Sequence, residues 1–408
     1  MGKRRFALTA AAAGLAIVAA VALALVVVLR SGGDPAQTRV RIEPADALLD
    51  APLRMGVDGA ERDAPVELTL SATSADGVSW SGSRSVLADD DGRISVDAGP
   101  LVTALHPTGV PDSAKLGLVP PNGTLELRLG ARQGDRGLGT AVATREMVGP
   151  GVSARDLTVA RDRLTGRYWT GPPRDRRPVA VLAVGGSEGG YGNAWQAGLL
   201  ASHGYPVLQL AYFRASGLPK ELRAIPLEYL ERALEWLHTR PGVKAVVMIG
   251  TSRGGELALL VGSTYPALVE GVAAYVPFDA VGPGSWTRRG ESIPPASNPD
   301  PRIPVERIRG PVFLVGAGQD QVWGSGYGTT AVRTRRLEHG RKDTEALVFD
   351  DAGHAVGLAV PYLPVSTEFS SNGFTLESGG TRQADALART ASWPRLLALL
   401  DRVGRDTG

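Results

Sequence analysis

The chain has 408 residues, 21% of them charged, with a formal net charge of +2 and no cysteine. This length predicts about two domains, and the interspersed charges argue against nucleic-acid binding. The absence of cysteine excludes a thiol nucleophile, disulfides and thiolate metal sites. The five histidines lack metal-ligand spacing, so no metal site is expected.

The N-terminal segment is long and apolar. Residues 6–29 carry no charged side chain and would span roughly 36 Å as a helix, enough to cross a bilayer. We interpret residues 1–30 as an uncleaved single-pass anchor in the cell membrane; the alternative is a cleaved signal peptide, because residues 22–24 resemble a cleavage site. The basic residues 3–5 favour an inside N-terminus and an extracytoplasmic catalytic domain, although basic residues after the helix nearly balance them.

Short β-forming segments follow a linker predicted for residues 31–42. Residues 43–155 contain runs that alternate apolar and polar side chains, such as VELTL at 66–70, separated by turn residues. This alternation is typical of half-buried strands and predicts an all-β antiparallel sandwich. No nucleophile, base and acid combine in this half of the sequence.

The sequence pattern changes near residue 156. Apolar runs such as VAVLAVGG (179–186) and KAVVMIG (244–250) alternate with amphipathic stretches such as PLEYLERALEWLHTR (226–240). Continuous apolar strands separated by helices are typical of a mostly parallel sheet with helices on both faces. Residues 156–408 are therefore predicted to form an α/β domain with its active site at the carboxyl ends of the strands.

The pattern G-x-S-x-G, typical of a hydrolase nucleophile, occurs twice. Ser252 follows an apolar strand directly and precedes a helical stretch directly, as the sharp turn of a nucleophile elbow requires. Several glycines separate Ser187 from the next helix, which fits an elbow poorly. We predict Ser252 as the nucleophile, and an oxyanion hole formed by the backbone N–H groups of Arg253 and of the Ser187 loop.

A serine nucleophile needs a base and an acid that orients the base. In hydrolases with this elbow the acid and then the histidine follow the serine in the chain. Asp320 comes just after the apolar run PVFLVGAG, and His354 lies in a loop after the next run. Asp279 is the main rival acid, whereas His238 and His339 lie at the ends of polar helical stretches and are expected on the surface.

Five segments of the second half identify a protein family more specifically together than any one motif does. They are residues 199–237, GTSRGGELALL at 250–260, IPVERIRGPVFLVGAGQDQVW at 303–323, RRLEHGR at 335–341, and DDAGH at 350–354 with the PYLP and GGT that follow it. With looser segments in the first half, they resemble the family of acyl-CoA thioesterases and bile-acid-CoA:amino-acid N-acyltransferases. The resemblance implies an immunoglobulin-like sandwich joined to an α/β-hydrolase domain.

The resemblance also implies Ser252 as nucleophile, Asp320 as acid and His354 as base, without a cofactor. Family members that conjugate amino acids use cysteine as the nucleophile, so serine favours water as the acyl acceptor. We therefore expect an acyl-CoA thioesterase that acts through an acyl-serine. Two alternatives stay open: a membrane-anchored extracytoplasmic esterase or acyltransferase for non-CoA acyl esters, since coenzyme A thioesters are cytoplasmic, and a catalytically idle surface-anchored binding protein.

Overall fold

The computed structural model describes residues 38–115, 117–294, 300–371 and 374–407. The predicted membrane anchor, residues 1–30, lies outside these ranges. Within them, none of the helices combines the length and the apolar character that crossing a membrane requires.

The N-terminal half is built from strands. They are β1 (Arg39–Glu43), β2 (Asp46–Leu48), β3 (Arg54–Asp58), β4 (Pro65–Thr73), β5 (Ser79–Leu87), β6 (Ile94–Asp97), β7 (His106–Pro107), β8 (Thr124–Gln133) and β9 (Arg136–Glu146), with one short helix, α1 (Gly99–Thr103). They form a three-stranded sheet, β1-β3-β6, and a six-stranded sheet, β2-β9-β8-β4-β5-β7. The pairings are antiparallel except for β2 with β9, which is parallel.

The two sheets bury a common apolar core. Leu68 and Leu70 of β4 are fully buried, as the alternating sequence pattern predicts, and they belong to the same cluster as Val57 of β3. An N-terminal all-β unit of two sheets is therefore present. Its relationship to immunoglobulin-like domains stays a prediction.

Two predicted boundaries require correction. The linker was predicted to extend to residue 42, but β1 begins at Arg39, because Val40 and Ile42 alternate with charged residues and pair with β3. The α/β domain was predicted to begin at residue 156, but its first strand begins at Ser153. Little in the sequence indicated this strand, because residues 153–156 are three polar residues and an alanine, all exposed at the edge of the sheet.

The second half alternates strands and helices. Its strands are β10 (Ser153–Leu157), β11 (Thr165–Thr170), β12 (Val179–Val184), β13 (Val207–Ala211), β14 (Ile225–Pro226), β15 (Ala245–Thr251), β16 (Gly271–Tyr275), β17 (Trp286–Arg288), β18 (Glu291–Ile293), β19 (Val312–Ala317), β20 (Thr344–Phe349), β21 (Glu368–Ser371) and β22 (Phe374–Glu377). Its helices are α2 (Val159–Asp162), α3 (Ala194–Ser202), α4 (Leu227–His238), α5 (Arg253–Thr264), α6 (Ser325–Glu338) and α7 (Arg382–Asp406).

One eight-stranded sheet organises this half, in the order β10-β11-β13-β12-β15-β16-β19-β20. The pairings are parallel from β13 to β20 and antiparallel at β10 and β11. Every residue of β12, β13, β16 and β19 is buried, because α3 and α7 pack on one face while α4 and α5 pack on the other. The predicted, mostly parallel sheet with helices on both faces is confirmed.

The parallel strands place four loops at one edge of the sheet. These are the loops that follow β12, β15, β19 and β20, and they carry the candidate site residues. The N-terminal half reaches this region as well: Gly117 forms a bridge with Val365, and the N–H of Leu118 donates to the carbonyl of Pro364 at 3.0 Å. The N-terminal half therefore contacts the segment that follows the His354 loop in the chain.

Candidate active site

Ser252 occupies a strained turn between β15 and α5. Its backbone angles are φ 56° and ψ −121°, a conformation that side-chain-bearing residues rarely adopt. Its N–H donates to the carbonyl of Tyr275 at 2.9 Å, and its carbonyl accepts from Gly255 at 2.8 Å, so neighbouring strand and helix hold the turn. This strand–turn–helix geometry is that of a nucleophile elbow.

Two glycines make the turn possible. A Cβ on Gly250 would lie 1.9 Å from the carbonyl oxygen of Gly254, and a Cβ on Gly254 would lie 2.2 Å from that of Gly185. Both distances are far shorter than a van der Waals contact, so neither position has room for a side chain. The glycines of the motif therefore let the elbow pack against the loop after β12.

His354 lies between Ser252 and Asp320. Its Nε2 is 3.0 Å from the hydroxyl oxygen of Ser252, and its Nδ1 is 2.8 Å from Oδ2 of Asp320. Only 13% of the His354 side chain and 1% of the Asp320 side chain are exposed. With the carboxylate accepting from a protonated Nδ1, Nε2 is left to accept from the serine hydroxyl.

The Asp320 carboxylate is held in place by further donors. One oxygen accepts from the N–H groups of Val322 at 2.9 Å and Trp323 at 3.2 Å, and the other accepts from the Ser325 hydroxyl at 2.5 Å. The Trp323 ring packs edge-on against the imidazole of His354, with 5.7 Å between the ring centroids. Hydrogen bonds therefore fix the orientation of Asp320, and the Trp323 ring covers one side of His354.

The loop after β12 lies directly over the elbow. A Cβ on Gly186 would come within 3.1 Å of the Ser252 Cβ, and Ser187 follows it on the exposed side of the loop. The Tyr212 hydroxyl donates to the carbonyls of Gly185 at 2.9 Å and Gly186 at 3.2 Å. Among the described residues, neither the backbone N–H of Ser187 nor that of Arg253 forms a hydrogen bond, as the predicted oxyanion hole requires.

A buried ion pair lies behind the elbow. The Arg253 guanidinium donates to Glu256, whose side chain is fully buried, and also to the hydroxyl of Ser285. Glu256 accepts as well from the N–H of Gly282 at 3.0 Å and the indole of Trp286 at 2.6 Å. Burial raises the pKa of Glu256, while Arg253 and the other donors oppose that shift.

The remaining candidates lie elsewhere. The carboxylate of Asp279 is not bonded to His354, whose Nδ1 is taken by Asp320. His238 contacts the carbonyl of Leu268 at 3.1 Å, and His339 contacts that of Arg335 at 2.8 Å, both away from the elbow. Across the part of the chain that the structure describes, no group of three or more histidine, aspartate or glutamate side chains could hold a metal ion.

Known proteins are similar in sequence to this chain over both of its halves. Residues 225–281 and 285–403 match the family described as BAAT / Acyl-CoA thioester hydrolase C terminal. Human mitochondrial acyl-coenzyme A thioesterase 2 is 28% identical over 405 residues, which cover 87% of this chain and 82% of that protein. Human acyl-coenzyme A thioesterase 1 is also 28% identical, over 87% of this chain and 94% of its own length.

The chain is similar to the acyl-CoA thioesterase and BAAT family. The resemblance inferred from the sequence is therefore confirmed, and Ser252, Asp320 and His354 all fall within the matched residues. Among solved structures, an α/β hydrolase enzyme from a deep-sea metagenome library has a TM-score of 0.44 and 16% identity, covering 63% of this chain and 100% of its own.

The sequence analysis missed two polar residues that contact the candidate site. Glu256 sits in an apolar helical stretch, and a carboxylate among leucines is itself a sign of a buried partner. Tyr212 ends an apolar run and gave no comparable signal, because its role depends on the position of the Gly185 carbonyl. Tyr212 is hydrogen-bonded to the glycine loop, and Glu256 is bonded to Arg253 of the elbow.

Proposed function

We propose that this chain is a serine hydrolase that cleaves acyl-CoA thioesters through an acyl-Ser252 intermediate. The observation that carries the proposal is the continuous line of hydrogen bonds from Ser252 through His354 to Asp320. The strained elbow, the buried acid and the free N–H groups above the serine support the same chemistry. The relatives named acyl-coenzyme A thioesterases supply the substrate class.

The proposed reaction has two halves. In acylation, Nε2 of His354 takes the proton of Ser252, the alkoxide attacks the acyl carbonyl, and the coenzyme A thiol leaves with that proton. The N–H groups of Arg253 and Ser187 hold the oxyanion, and Asp320 stabilises the imidazolium through Nδ1–H. In deacylation, His354 takes a proton from a water molecule as the water oxygen attacks the acyl-serine. The Ser252 oxygen then leaves the acyl carbon and takes that proton back from His354, which releases the free acid and restores the enzyme.

A substrate panel tests this proposal. Initial rates would be measured on acyl-CoAs from acetyl to palmitoyl and on p-nitrophenyl esters of the same acids, with Ser252→Ala as the control. We expect kcat/KM to be higher for at least one acyl-CoA than for the matched ester, and to be lost in the variant. Turnover of esters alone would favour a carboxylesterase, and no turnover of either would favour an idle binding protein.

We also propose that residues 1–30 anchor the chain in the cell membrane, on the strength of their uncharged run. The basic residues 3–5 favour a catalytic domain outside the cytoplasm, and that orientation supports the second candidate, an esterase for non-CoA acyl esters. Protease added to intact cells should then digest the domain. Protection of the domain, together with a preference for acyl-CoA, would reverse the orientation and leave the thioesterase proposal standing.

A further inference from the structure

The backbone next to His354 is hydrogen-bonded to a buried carboxylate. Asp385 lies in the first turn of α7, and its side chain is fully buried. Its Oδ1 accepts from the N–H of Gly353 at 2.6 Å, and Gly353 directly precedes His354. The N–H of His354 donates in turn to the carbonyl of Ser378 at 2.7 Å, so two hydrogen bonds fix the backbone of the histidine.

The second oxygen of Asp385 is unpaired. Oδ2 is buried and has no hydrogen-bond partner among the described residues. The nearby cation Arg389 does not form a contact ion pair with it, because its guanidinium donates to the carbonyls of Val360, Ala355 and Leu363. The other charged or titratable groups that act on Asp385 are Asp320 and His354, the acid and the base of the site.

This environment disfavours the charged carboxylate. Burial, with a smaller contribution from Asp320, raises the pKa of Asp385 to about 6 against the lowering effects of the Gly353 N–H, Arg389 and His354. Because the folded-state value lies above that of the unfolded chain, the stability that protonated Asp385 contributes is fully present below the ordinary aspartate pKa and is lost as the pH rises through about 6. Near neutral pH, Asp385 is therefore a buried carboxylate close to Asp320 and His354, and its charge lowers the free energy of unfolding.

We propose that Asp385 is a positioning residue for His354, whose paired oxygen fixes the Gly353–His354 backbone and whose unpaired charge stabilises the imidazolium formed when Ser252 is deprotonated. The inference rests on the proposed acyl-serine chemistry. Asparagine at position 385 keeps an acceptor for the N–H of Gly353 and removes only the charge, so Asp385→Asn separates the two contributions. Asp351→Asn is the matched control, since Asp351 is exposed on the same loop.

The test uses a fluorophosphonate that labels activated serines, with the rate of Ser252 labelling and the Tm measured between pH 4 and pH 9. In Asp385→Asn we expect the labelling rate at alkaline pH to fall about tenfold, the size of effect that one pKa unit of interaction with the imidazolium would give. The midpoint of the acid limb should move to lower pH, because a neutral neighbour favours the uncharged imidazole. The Tm of the variant relative to wild type should improve as the pH rises from 4 to 7.

Asp351→Asn should leave the labelling rate, its midpoint and the Tm profile unchanged. An Asp385→Asn protein with the wild-type rate and midpoint would overturn the inference, as would a uniformly lower Tm with an unshifted midpoint, which is what a purely structural residue would give. If the Asp385→Asn protein does not fold, Asp385→Ser serves as a second variant with an uncharged side chain at this buried position. Failure of the wild-type protein to label at Ser252 would instead remove the proposed function, and this inference with it.

Discussion

Glu256 and Arg253 form an ion pair inside the protein, one helical turn beyond the candidate nucleophile. The Glu256 side chain is fully buried, and its carboxylate also accepts from Gly282 in the loop after β16 and from Trp286, the first residue of β17. Arg253 is also the residue whose backbone N–H we propose to bind the oxyanion. The pair therefore ties the elbow to a loop that is distant in sequence.

Truncation of this carboxylate should destabilise the protein. Glu256→Ala leaves two donors, the N–H of Gly282 and the indole of Trp286, without their acceptor and the charged Arg253 guanidinium without its carboxylate partner. The free energy of unfolding should therefore fall by at least about 3 kcal/mol. Urea titration at pH 8 measures it. Glu235→Ala, an exposed glutamate on α4, should stay within about 0.5 kcal/mol of wild type. Equal losses in the two variants would show that the buried pair has no special role.

The identity of the acid can be tested by amide substitution. Asp320→Asn should lower kcat by roughly 10⁴-fold, because an amide no longer favours the required tautomer or stabilises the imidazolium. Asp279→Asn should leave kcat within about threefold of the wild-type value, because Asp279 is not hydrogen-bonded to His354. Steady-state kinetics on the best substrate of the panel compares them. Similar, small losses in both would remove Asp320 from the site.

Glycine at the elbow should be indispensable. In Gly254→Ala the new Cβ would lie 2.2 Å from the carbonyl oxygen of Gly185, so the elbow and the glycine loop must separate. We expect loss of turnover and a lower Tm. Gly137→Ala is the matched control, because a Cβ there meets nothing within 4 Å. Retention of full activity by Gly254→Ala would contradict the close packing of elbow and loop.

The glycine loop should act through its backbone. Ser187→Ala keeps the N–H proposed to bind the oxyanion, so kcat should change by less than about threefold. Tyr212→Phe removes the hydroxyl that fixes the carbonyls of Gly185 and Gly186, and it should lower kcat by about tenfold with an unchanged KM. Loss of turnover in Ser187→Ala, with Ser252→Ala active, would reverse the choice between the two serines.

Local patterns in the sequence were sufficient for much of the fold. Buried parallel strands read as continuous apolar runs, and the turn around Ser252 depends only on the strand before it and the helix after it. Contacts between distant segments were not readable: Glu256 and Trp286 are 30 residues apart, and Asp385 and Gly353 are 32 apart. Such pairs arise from the order of strands in the sheet, which a single sequence leaves open.

The central claim is that an acyl group passes through Ser252. The most direct measurement is mass spectrometry of the peptide containing Ser252 after acid quench, within the first turnovers, of the enzyme mixed with its best acyl-CoA. We predict a mass increase of one acyl group on Ser252 that appears before free acid accumulates and is absent in Ser252→Ala. Product formation at the full wild-type rate with Ser252 unmodified, or an acyl group on another residue that turns over at that rate, would contradict the account.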